Sequence, residues 1–339
     1  MGSIFFHPEV LADTLSETVG YKAGLALSLV EVCDHLSGTK YPDLIRASED
    51  RVVRLRSEEY DELFYKLLHR VGHTKTEYNG DIYGIGLYHK YKGTRLAKVH
   101  EHVTELFTAM LPGLADEAER NGTKLIDPTP FLRTSFEKYG KNGLKLAMER
   151  IDVLARGLNL SPHSGARFIE WANPIQLRAL FSGTNSAPQV GAFIDQRFID
   201  YLEVNRTKLS KMHWRKFEEL TAEFFAREGY RVQLGPGSND DGVDVRVWKP
   251  GDRETDHPHC LIQCKRQKDK VERVVVKGLS ADVQFEGAEY GLIVTTSELS
   301  IGARQTIAAR GYPIREVDRE ALGNWLEKLR TPGTGIVRV

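Results

Sequence analysis

Four side chains in the C-terminal part of this 339-residue chain have the types and spacing to hydrolyse a phosphodiester. Asp244 ends the segment Asp241-Gly-Val-Asp244, and Gln263 and Lys265 lie two apart in Ile262-Gln-Cys-Lys265. On a strand, residues two apart point to the same face, so Gln263 and Lys265 share one. If the strand carrying Asp244 is its neighbour, a carboxylate, an amide oxygen and an ammonium converge at the sheet's edge. Oxygen ligands hold a hard divalent cation such as Mg2+, with Mn2+ as a substitute, and the cation polarises a phosphate. An ammonium beside it orients the attacking water and offsets transition-state charge. Glu218, in Trp214-Arg-Lys-Phe-Glu-Glu-Leu220, lies on the helix before the sheet and offers a further carboxylate, with Glu219 as its competitor. The expected metal ligands are Asp244, Gln263 and Glu218; with Lys265 they make the catalytic set.

Elements able to position these residues follow from the hydrophobic pattern. From Trp214 onward, short apolar runs alternate with helical ones. A helix over 214–228 closes at Gly229. Strands follow over 230–234, 243–248 and 260–264, then a helix over 272–285, a strand over 290–295, a helix over 298–310, a strand over 314–317 and a helix over 319–329. Ser297 is the expected N-cap of the helix at 298, and Gly311 closes it. The order α-β-β-β-α-β-α-β-α predicts an α/β domain, a mixed sheet flanked by helices. Asp244 emerges from the Gly-rich loop 235–242, and the polar stretch 249–258 joins two strands as a hairpin loop. Upstream, apolar residues recur at helical spacing in 10–36, 55–71, 96–114, 144–158 and 190–202, predicting a mainly α-helical N-terminal domain. Between Tyr78 and Tyr91, four tyrosines mixed with three glycines read as an irregular loop or a short hairpin, whose rings pack or offer stacking surfaces. The expected division is 1–206, 207–330 and a tail over 331–339.

Five ordered motifs carry a family resemblance: Phe217-Glu218-x-Leu220, Glu228-Gly-Tyr230, Gly237-x-x-Asp240-Asp-Gly242-Val-Asp244, Gln263-x-Lys265-Arg266 and Leu292-Ile-Val-Thr-Thr-Ser297. With them, residues 211–330 resemble the catalytic domain of the Mrr family of restriction endonucleases, within the PD-(D/E)XK nuclease superfamily. The resemblance implies a restriction-endonuclease-like α/β fold, DNA as substrate and a divalent cation. Gln263 stands where most of the superfamily has Asp or Glu, in agreement with the Mrr branch. A neutral amide is the weaker ligand, so affinity would lean on Asp244 and Glu218. Asp241 replaces the family's usual small residue, leaving Asp240 and Asp241 as further candidates for the metal.

Basic residues gather around this block: Lys211, Arg215 and Lys216 at the first helix, with His213 among them, and Arg266, Lys268, Lys270, Arg273 and Lys277 after the catalytic strand. Together they form the expected phosphate-tracking surface. Other clusters read as incidental. His257, His259, Cys260 and Cys264 match no zinc module, and Cys260 and Cys264 share a face with Ile262 that should be core. His69 and His73 are separated by Gly72, and His100 and His102 point differently on a helix.

Lys+Arg and Asp+Glu are 47 each, so any polyanion-binding face must be local. No apolar run reaches the ~18 residues a spanning helix needs, the start lacks a signal-peptide pattern, and three cysteines make no disulfide framework. No membrane association and a cytoplasmic location are expected. The reading is a Mg2+-dependent DNA endonuclease of restriction or anti-phage defence type, its N-terminal domain sensing a target or assembling the enzyme. The alternatives are a signal-activated effector that also cleaves RNA, and a non-catalytic DNA-binding scaffold. A homodimer or higher oligomer, a defence-system partner protein and a small-molecule activator stay open.

Overall fold

The structure is a computed structural model that describes residues 2–74, 77, 85–123, 126–161, 173–183, 187–237, 242–253 and 255–330. The expected tail over 331–339 and residues 78–84 lie outside them. N-terminal elements are β1 (Ser3–Phe6), α1 (Val10–Ala23), β2 (Leu25–Ala26), α2 (Leu29–His35), α3 (Tyr41–Ala47), β3 (Val53–Arg56), α4 (Ser57–Arg70), α5 (Ile85–Tyr91), α6 (Ala97–Arg120), α7 (Thr129–Leu160), β4 (Ile175–Gln176), α8 (Ala179–Ser182) and α9 (Gln196–Val204).

The region is mainly helical, with two departures from expectation. The run over 10–36 breaks at Gly24 (φ 70), and Ser28 opens α2 with a capping box to Glu31. Two small sheets also form, β1 with β3 antiparallel and β2 with β4 parallel. Strands of two to four residues carry too few alternations to stand out from helical spacing. Within the tyrosine-rich stretch, residues 85–91 are helical rather than loop or hairpin.

Two cores lie in this region. α5, α6 and α7 enclose one of their own, with Leu87, Tyr91, Val103, Phe107, Phe131 and Leu146 at its centre; α7 turns sharply at Gly140 (φ 61, ψ −154). The remaining elements contribute to a larger core that continues across residue 206, from Leu63 and Phe64 through Phe198 and Tyr201 to Phe217, Leu220 and Leu326. Buried Arg330 adds a polar tie, donating to Gly72 O at 2.8 Å and to Glu203 Oε2 at 2.6 Å. A cut at residue 206 would divide this core.

The C-terminal elements follow the expected order: α10 (Trp214–Arg227), β5 (Arg231–Leu234), β6 (Val245–Trp248), β7 (Cys260–Lys265), α11 (Arg273–Glu286), β8 (Tyr290–Thr295), α12 (Ile301–Arg310), β9 (Ile314–Val317) and α13 (Arg319–Leu329). They build a mixed sheet of order β5-β6-β7-β8-β9, antiparallel as far as β7 and parallel beyond it. A short loop can reverse the chain between β6 and β7, whereas parallel β7 and β8 need the crossover that α11 supplies. Val245, Val247, Cys260, Ile262, Leu292 and Val294 face one side, in the core with Phe217 and Leu220 of α10 and Leu326 of α13. Leu261 and Ile293 face the other, with Val276 and Leu279 of α11 and Ala303 of α12. Burial on both faces explains why β8 reads as a continuous apolar run rather than an alternation.

The N-cap of α12 is Ser300, whose hydroxyl accepts from Ala303 N–H; Ser297, the expected cap, instead donates to Lys268 O at 3.1 Å. Gly311 (φ 61) closes the helix as expected. Among the described residues no helix is long and apolar enough to cross a membrane.

Candidate active site

Asp244 sits where β6 and β7 part. Their last ladder pair is Val245 with Ile262, which leaves Asp244 and Gln263 as the next facing residues. Asp244 donates its N–H to Ile262 O at 2.9 Å, and its Oδ2 accepts from the Cys264 N–H at 2.6 Å. The carboxylate thus takes the place of the carbonyl that a continuing ladder would have offered. Its own carbonyl accepts from the Gly235 N–H at 2.8 Å, fixing the residue from both flanks. Opposite, the Gln263 amide lies under Gly242, where a Cβ would stand 3.0 Å from Nε2; at φ 87 a side chain there would be strained as well. Lys265, half-buried, follows two residues on along the face of Gln263.

Glu218 reaches this corner from α10. Arg215, one turn earlier, donates from Nη1 to Glu218 Oε2 at 3.0 Å and to Gly235 O at 2.7 Å, tying the helix to the loop that leads to Asp244. Glu219 is engaged elsewhere, in a buried pair with Lys216 at 2.7 Å. The Cys264 thiol marks where the charges meet. Burial pushes its pKa well up, the Asp244 and Glu218 carboxylates raise it further, and Lys265 opposes them. Sequence reasoning missed two neighbours: Arg215 in its linking role, and the half-exposed Trp214 ring, which packs where a Cβ on Gly237 would come within 3.0 Å.

The motif Thr295-Thr-Ser297 gains a physical role. Thr295 Oγ1 donates to Lys265 O at 2.8 Å, Thr296 Oγ1 to Gln267 O at 2.9 Å, and Ser297 Oγ to Lys268 O at 3.1 Å. Three buried hydroxyls at the end of β8 and just beyond it therefore hold the carbonyls of residues 265, 267 and 268, where the catalytic strand exits. Rotation of that backbone would swing Lys265 away from Gln263.

A family model described as restriction endonuclease, Mrr_cat, matches residues 209–326. This part of the chain is similar to Mrr-type restriction endonuclease domains. No curated protein matches the chain. Among solved structures, the MspJI restriction endonuclease in complex with a 27-mer oligonucleotide is 20% identical, over 52% of this chain and 39% of that one, with a TM-score of 0.30. The chain therefore spans well under half the length of that relative.

In the Mrr-type domain a cation with oxygen ligands fits this corner. Gln263 Oε1 is buried and has no hydrogen-bond partner among the described residues, whereas buried amide oxygens are nearly always paired. Asp244, Gln263 and Glu218 would hold the ion. Among the described residues no three His, Cys, Asp or Glu side chains cluster for a metal. Asp240 and Asp241 lie outside the described residues. The expected core placement suits Cys260, which is fully buried, its thiol pushed up to about 12 by burial. Cys264 is only half-buried, its Sγ resting 3.5 Å from Thr221 Oγ1 of α10. His257 lies on a different path, with Nδ1 2.8 Å from Glu286 O.

The basic surface is smaller than the sequence implied. Lys211, Arg266, Lys268, Lys270, Arg273 and Lys277 are exposed, and Arg266 reaches Ser210 O at 3.3 Å, which sets it beside Lys211. Lys270 is paired with Glu298 at 2.8 Å on the surface, where such pairs open at little cost. Lys216 does not belong to this face: it is 3% exposed, neutralised by Glu219 within the domain. Arg215 turns inward to Glu218, and His213 caps α10 by accepting the Arg215 N–H.

Proposed function

We propose that this protein is a divalent-cation-dependent endodeoxyribonuclease of restriction type, acting against foreign DNA, with Mg2+ as its ion and Mn2+ as a substitute. The observation that carries the reading is the corner of the Mrr-type domain where Asp244 faces the buried, unpartnered Gln263 Oε1, with Lys265 two residues on. When bound, the cation would polarise the scissile phosphate and stabilise its developing charge. Lys265 then orients the attacking water and offsets negative charge as the phosphorus becomes five-coordinate. Arg215 holds Glu218 in place, and the β8 hydroxyls hold the backbone at Lys265. The exposed cations Lys211, Arg266, Lys268, Arg273 and Lys277 would track the DNA backbone without reading bases. The N-terminal region would sense a target or assemble the enzyme, through a core it shares with the α10–α13 side of the sheet.

The deciding assay incubates purified protein with plasmid, single-stranded DNA and RNA, each with Mg2+, Mn2+ or EDTA. Nicked or linear plasmid with either cation and intact plasmid in EDTA are expected. DNA left intact under every condition would overturn the proposal. Gln263→Glu sharpens it: a carboxylate at this position replaces the amide oxygen with the superfamily's usual ligand, so cleavage should persist at least in part and the ion should bind more tightly. A variant with neither cleavage nor tighter ion binding would remove position 263 from the ligand set.

A further inference from the structure

We propose that a cavity in the α5–α6–α7 unit, remote in sequence from the Mrr-type domain, binds a nucleotide. It encloses about 580 Å3, within the roughly 300–1,000 Å3 of small-molecule sites. Its walls combine flat aromatic surface with unsatisfied polar atoms, which is what a nucleobase requires. Tyr91 stacks on His100 with ring centroids 5.4 Å apart and planes at 27°, and Tyr88 leaves half of its ring exposed at the opening. The exposed Tyr88 ring can accept any base by stacking, with the buried Tyr91–His100 pair as the wall behind it.

Two buried polar atoms line the same space without a hydrogen-bond partner among the described residues, His100 Nε2 and Thr104 Oγ1. His100 is 8% exposed. A base edge would give both atoms the partner they lack. Burial, and after it Arg150, hold the His100 pKa below its ordinary value, so the imidazole meets the ligand neutral. A neutral ring and a hydroxyl match a base edge, which offers donors and acceptors but no charge. Exposed Lys92 and Lys98 border the cavity and supply the positive charge for a phosphate; Lys92 Nζ lies 5.6 Å from the Tyr88 ring centroid. Glu101 and Glu105, on the same wall, repel phosphate and so orient it toward the lysines, leaving sugar hydroxyls for the carboxylates.

A free nucleotide and a nucleotide unit of a DNA strand share this chemistry. Isothermal titration calorimetry of the full-length protein in EDTA separates them and is independent of whether the protein cleaves DNA. The probes are AMP, GMP, CMP, UMP and a short single-stranded oligodeoxynucleotide. Saturable binding of one equivalent at the cavity is expected, weakened at least tenfold by Tyr88→Ala and by Thr104→Val. Binding of a mononucleotide assigns the cavity to a diffusible ligand. Binding of the oligonucleotide alone, with the same sensitivity, assigns it to a strand. Tyr88→Ala removes an exposed ring and should leave thermal stability unaltered. No saturable binding of either class, or binding that either cavity variant leaves unchanged, would overturn the proposal.

Discussion

Asp244→Ala is expected to abolish cleavage and the binding of Mg2+ or Mn2+ together. The carboxylate serves two ends: it supplies charge to the ion, and its Oδ2 closes the fork by accepting the Cys264 N–H at 2.6 Å. Alanine removes both, and an amide left without its acceptor in this 9%-exposed corner costs about 1–3 kcal/mol of stability. Asp244→Asn separates the two roles. Its amide oxygen can still accept from Cys264 while the charge is gone, so the asparagine variant should melt near the parent temperature and yet be inactive. DNA affinity should survive in both, because the exposed cations supply most of it, and losing a carboxylate near the phosphate should tighten it. Calorimetric ion binding, thermal melting and plasmid cleavage on the three proteins decide the matter. An active Asp244→Asn would place the chemistry elsewhere.

Lys265→Ala should also stop cleavage but leave ion binding close to normal. An ammonium offers no ligand oxygen; its contribution lies in the water and the transition state. Removing one such electrostatic contact typically costs about 10²–10³ in rate, or roughly 3–4 kcal/mol. The backbone at 265 is pinned by Thr295 Oγ1 at 2.8 Å, so truncating the side chain should not disturb the strand. Single-turnover cleavage beside ion titration tests the contrast with Asp244. Loss of ion binding in Lys265→Ala would mean that the lysine shapes the ligand set instead, and full activity would exclude it from the chemistry.

Direction on the helix favours Glu218 over Glu219 for this site. Adjacent helical residues point about 100° apart. Glu218 accepts from Arg215, which also donates to Gly235 O, whereas Glu219 meets Lys216 within the domain. The same geometry removes Lys216 from the phosphate-tracking face, since a buried cation matched by a buried carboxylate has no charge left to offer DNA.

Much of the C-terminal domain is legible in the residues themselves. Period-two and period-3.6 patterns, glycine stops and the ordered motifs around Asp244, Gln263 and Lys265 are local signals, and each element formed within a few residues of its expected bounds. That Gln263 and Lys265 share a face was legible for the same reason, since a strand's alternation is a property of its own backbone; that Asp244 faces Gln263 depends on the pairing of β6 with β7. Tertiary structure alone decided the rest. Whether a charged side chain is exposed depends on what packs over it, so Lys216 and Lys211, alike in sequence, ended on opposite sides of the protein surface. The β8 hydroxyls act on a strand some thirty residues away, the strands β1 to β4 exist only through distant partners, and the core under α10 draws on residues from both sides of position 206. Pairing and burial between segments far apart in the chain leave no periodic trace in either one.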